Sequence, residues 1–165
     1  MKKDMRVSYP LWQAGSIVII MALVLMIGYS SSFTIFNDGG FEFQATIENK
    51  LGVAFGFTLL ILVLYMSLFS WKVFKHNRRL PERKINMLSI KPQEYMEDDE
   101  VFEEITKRAT KKVYTYFVWA LPLLAGLYSG LPISRTWMIV GILLVAVGQY
   151  WIYYRTIRKY VREEE

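Results

Sequence analysis

The chain has 165 residues, 53% of them hydrophobic and 21% charged, with a formal net charge of +5 and no cysteine. Without cysteine there are no structural disulfides, thiolate metal sites or thiol-redox chemistry, which excludes the four-helix membrane enzymes that couple quinones to paired cysteines. The charges are segregated: residues 7–37, 51–71, 113–134 and 136–154 contain no Asp, Glu, Lys, Arg or His.

Each of these windows reaches the roughly 20 apolar residues that a helix needs to cross a hydrocarbon layer about 30 Å thick. They predict an all-α integral membrane protein, a single domain of four transmembrane helices near 11–31, 52–74, 112–131 and 136–155. A soluble helical bundle is disfavoured, because runs such as IVIIMALVLMI have no polar face to offer water.

The first helix follows MKKDMR, which resembles the basic start of a signal peptide. Its apolar run is long, however, and the GYSSSFTIF that follows lacks a small-x-small cleavage site, so it is read as a retained span. Next, Asn37-Asp38-Gly39-Gly40 separates two alternating runs, Phe33–Phe36 and Phe41–Ala45, the pattern of a short external β-hairpin. An irregular loop or an extension of the first helix is the alternative.

The second span begins with Gly52 and Gly56, a GxxxG pair, and Gly126 and Gly130 form another in the third span. Glycines at this spacing let helices approach closely in lipid, so the two pairs are read as packing on each other or on a second copy. Pro122 deletes a backbone hydrogen bond in the third span, which predicts a kink. Only about Leu131–Arg135 separates the last two spans, so they are antiparallel neighbours.

The 75–111 connection is charged in blocks. Bases dominate its start and the adjoining end of the second span: Lys72, Lys75, Arg78, Arg79, Arg83, Lys84 and Lys91. The acids Glu94, Glu97, Asp98, Asp99, Glu100, Glu103 and Glu104 follow, then Lys107, Arg108, Lys111 and Lys112. Acids favour the start of a helix, where free N–H groups and the dipole welcome negative charge, and Asp98 is the N-cap candidate. Glu103–Lys107 and Glu104–Arg108 are i,i+4 pairs in the favourable order. Val101, Phe102, Ile105 and Ala109 give that helix an apolar side as it runs into the third span. The acids could also ligate a divalent cation, but their spacing matches no cation loop.

Lys and Arg counts fix the orientation. The two termini and the middle connection carry 18, against two (Lys50 and Arg135) in the other loops. Positive residues stay on the cytoplasmic side, so both termini and the connection are expected there, with the protein multi-pass in the cell membrane, plasma or bacterial inner. Tyr and Trp cluster near the predicted interfaces: Tyr9, Trp12, Trp71, Tyr114, Tyr116, Trp119, Tyr150, Trp151, Tyr153 and Tyr154 at the inner face, and Tyr29, Tyr128 and Trp137 at the outer one. That topology accounts for the basic pI, and no basic motif interleaved with aromatics points to nucleic acid.

Within the four uncharged windows the spans hold no ionisable side chain apart from tyrosine, with Lys72, Lys112 and Arg155 only at span ends, whereas transporters and proton relays need one inside the membrane. The one histidine, His76, lies among juxtamembrane bases. No metal-binding histidine pair, Ser-His-Asp set or phosphate-cradling loop is present. These features predict a non-enzymatic accessory, regulatory or scaffolding subunit without cofactor or metal. Its contacts would be Lys72, Lys75, Arg78, Arg79, Glu97, Asp98, Asp99, Glu100, Glu103 and Glu104. The partners would be the bilayer, its anionic headgroups, and another membrane protein or a second copy. The alternative is a small transporter or oligomeric pore.

Overall fold

The structure is a computed structural model that describes residues 5–35, 41–45, 49–81, 85 and 100–163. Four helices account for most of it: α1 Met5–Ser30, α2 Asn49–Arg79, α3 Glu100–Gly130 and α4 Arg135–Glu163. Between α1 and α2 lie two short strands, β1 Ser31–Ile35 and β2 Phe41–Ala45, paired antiparallel with Phe33 opposite Phe43. Asn37–Gly40 and the expected N-cap Asp98 lie outside the described residues.

All four helices extend beyond the predicted spans toward the same, basic end of the molecule. α1 starts before residue 11, α2 continues past 74, α3 starts before 112 and α4 runs beyond 155. At about 1.5 Å per residue, the 31-residue α2 is roughly 46 Å long, more than a hydrocarbon layer requires. Three helices are long and apolar enough to cross a membrane: Val7–Ser30, Lys50–Arg79 and Arg135–Tyr160. α3 is not among them. Its first turns are charged, and its remainder is diluted by Tyr114, Thr115, Tyr116, Pro122, Gly126, Tyr128, Ser129 and Gly130.

The helices pack in the order α2–α1–α4–α3, so α1 and α4 form the central seam while α2 and α3 stand at the edges. Among the described residues α2 and α3 share no extended contact. This corrects the expectation that the two GxxxG pairs pack on each other. Gly56, Gly126 and Gly130 are exposed, and a Cβ at any of them would meet nothing within 4 Å.

Close approach instead uses isolated glycines, each facing a side chain from the neighbouring helix. The Tyr65 hydroxyl of α2 donates to the Trp12 carbonyl of α1 at 3.0 Å and lies over Gly15. From α3, Tyr116 donates to the Val145 carbonyl at 3.3 Å, over Gly148, and Tyr128 donates to the Met138 carbonyl at 2.6 Å, over Gly141. In all three, the glycine is three residues after the accepting carbonyl, on the same helical face. Removing its side chain opens that carbonyl to a second donor. Tyr128, expected at the outer interface, thus bonds α3 to α4. Tyr128→Phe is expected to cost about 0.5–1.5 kcal/mol, read as a lower midpoint of thermal unfolding in detergent.

The packed core sits at the basic end. One cluster joins Val7, Phe102, Ile105, Ala109 and Ile157, and a second joins Met5, Phe69, Val73 and Ile85. Away from that end burial is sparse: none of the most apolar 18 residues of α2 is buried.

Candidate functional site

The basic end gathers one end of each of the four helices. Between α1 and α2, Tyr9 and Trp12 pack on Phe69 with ring centroids 5.4 and 5.9 Å apart, and Trp12 packs on Tyr65 at 4.9 Å. Beyond the end of α2 the chain turns back. The Asn77 amide donates to the Ile85 carbonyl and accepts from the Ile85 N–H, both at 2.8 Å. One side chain thereby mimics a strand neighbour, and Ile85 is held in the Met5–Phe69–Val73 cluster. The opposite end of the connection is anchored too, since Phe102, Ile105 and Ala109 of α3 pack against Val7 and Ile157. These three were expected on the apolar side of that helix.

Around this core lies a collar of cations seated on aromatic rings. The Lys72 ammonium is 4.5 Å from the Trp12 ring centroid, and that of Lys75 is 5.1 Å from Trp71. Arg108 and Lys112 of α3 both approach Tyr160 of α4, at 5.4 and 6.0 Å. Arg158 donates to the Tyr154 hydroxyl at 2.9 Å. Such pairs combine attraction to the ring face with a polar tip that stays wet.

The acids pair farther out. Glu103 bridges Lys107 at 2.6 Å and Glu104 bridges Arg108 at 2.5 Å, the two i,i+4 pairs expected. Hydrogen bonds to Tyr160 and then to Glu104 hold the pKa of Arg108 above its ordinary value. Lys72, Lys75, Arg78, Arg79, Lys111 and Lys112, nearer the apolar segments, have no acidic partner among the described residues.

The residues expected to act together are only partly gathered. Lys72, Lys75, Arg78 and Arg79 lie on α2, while Glu103 and Glu104 lie on α3 at the other edge of the row. Glu97, Asp98 and Asp99 lie outside the described residues, as does the side chain of Glu100. Among the described residues no three His, Cys, Asp or Glu side chains come together. His76, among the bases at the end of α2, is buried. The hydroxyls of Ser16, Thr58, Ser67 and Thr115 each donate to a carbonyl three or four residues back in their own helix. The Arg108–Lys112–Tyr160 grouping was missed because it depends on which helix lies beside α3.

Compared with family models, curated proteins and solved structures, the chain matches none.

Proposed function

We propose that the chain is a non-enzymatic, four-span membrane protein, an accessory or scaffolding subunit that presents its 75–111 connection to a partner in the cytoplasm. α3 serves as the fourth span because it lies antiparallel to α4 along its length and carries exposed Val118, Trp119, Leu121 and Leu123. The 18-to-2 bias of Lys and Arg puts both termini and the connection inside, with the β1–β2 hairpin outside.

One observation carries the reading: both ends of the connection are anchored in packed cores, at Ile85 and at Phe102–Ala109, beneath otherwise loosely packed spans. A tether of no consequence has no need of two anchors. In addition, span hydroxyls bonded to their own helices leave little polar lining for a pore.

Orientation is tested first, and the cysteine-free chain makes this direct. Single substitutions Asp38→Cys and Lys107→Cys are labelled in intact cells with a membrane-impermeant maleimide. Asp38→Cys should label from outside, and Lys107→Cys only after lysis; the reverse pattern sinks the topology. Purification from native membranes with mass spectrometry then tests the role. A stoichiometric partner lost when Glu97–Glu104 are neutralised is expected. A partner-free homo-oligomer that conducts a solute in liposomes would overturn the accessory reading.

A further inference from the structure

We propose that Arg108, Lys112 and Tyr160 form a seat for the headgroup of an anionic phospholipid, whose acyl chain lies along α3. The inference rests on the orientation proposed above but not on the partner-protein role.

Arg108 and Lys112 are one turn apart on α3, where like charges repel, yet both converge on one ring of α4. Glu104 compensates Arg108 from the outer side. Lys112 has no acidic partner among the described residues: the nearest acids on α3, Glu104 and Glu103, are more than two turns back and are paired with Arg108 and Lys107. An anion at this point is met by the Arg108 fork, the Lys112 ammonium and the Tyr160 hydroxyl, a donor set suited to a phosphate.

The source of the phosphate follows from what lies beyond Lys112. The apolar part of α3 begins at the next residue, Val113. Trp119 and Leu123 are seven and eleven residues on, hence on the Lys112 face, and are 76% and 68% exposed. From Lys112 to Leu123 is about 16 Å along the helix, roughly one leaflet of a hydrocarbon layer about 30 Å thick. A cationic head above an exposed apolar track one leaflet long fits a phospholipid, not a soluble phosphate.

The test is a native mass spectrometry titration of the full-length protein in detergent with phosphatidylglycerol or phosphatidylcholine. The wild type should prefer phosphatidylglycerol. Each base near an anionic headgroup contributes about five-fold in affinity, so Arg108→Gln with Lys112→Gln should weaken phosphatidylglycerol binding roughly 30-fold. Lys50→Gln with Arg135→Gln removes the same charge from the opposite end of the molecule and should leave that binding largely unchanged. Tyr160→Leu, with no change of charge, should also weaken it, as should Lys112→Gln alone. Equal losses from the two double variants, no headgroup preference, or full competition by soluble glycerol phosphate would each overturn the proposal. Maleimide labelling reports orientation separately, so a failed lipid site and a wrong topology are distinguishable.

Discussion

Phe102→Ala is expected to destabilise the protein by about 3–5 kcal/mol, the usual cost of emptying a large aromatic site in a packed core. Phe102 is 3% exposed and packs with Ile105 and Ala109 against Val7 of α1 and Ile157 of α4. It therefore ties three helices together at the basic end. The paired control is Phe57→Ala, at a residue of α2 that is 64% exposed. On the membrane reading Phe57 faces lipid tails, which are as apolar as its side chain, so its loss should shift stability little. Denaturation of the two variants in detergent, followed by circular dichroism, measures the contrast. Equal destabilisation would mean that the molecule is held together along its spans and not at its basic end.

Gly28→Leu should be the most damaging substitution along the seam, at about 1–3 kcal/mol or more. Gly28 of α1 faces Thr136 in the first turn of α4, and even the first carbon of a new side chain would come within 2.7 Å of the Thr136 Cβ. At Gly15, Gly141 and Gly148 the obstacle is the tip of a tyrosine, which can swing aside and lose one hydrogen bond. At Gly28 it is a β-branched stem fixed to the backbone, so α1 and α4 must separate. Thr136→Gly should recover part of the loss in a Gly28→Ala background, and a double-mutant cycle gives the coupling. If the two changes simply add, the close approach does not hold the seam.

Much of the architecture could be read from charge and hydropathy, which are local quantities. The uncharged windows located four helices, and the acid-then-base order of Glu103–Arg108 announced both i,i+4 bridges. The helix order could not be read this way. GxxxG pairs are recognised along one helix, but here the close contacts pair a glycine with a tyrosine or threonine on another. Gly141 and Gly148 left a trace in their seven-residue spacing, which puts both on one face of α4. Their partners Tyr116 and Tyr128 resembled interfacial aromatics, because a belt tyrosine and a packing tyrosine look alike until a neighbour is known. The Arg108–Lys112–Tyr160 seat was hidden for the same reason, and Ile85 because its position depends on Asn77 catching the chain as it turns back.

The α2–α1–α4–α3 order also bears on how the chain assembles. α1 with α2, and α3 with α4, are helical pairs formed between sequence neighbours. One long-range seam, α1 on α4, joins residues as distant as Val7 and Ile157. Each pair can therefore form as it is synthesised, and only the docking of α4 onto α1 must wait until α4 is made. A chain cut between residues 86 and 99 keeps both pairs and the whole seam, so its two halves, made separately in one cell, should find each other and rebuild the intact protein.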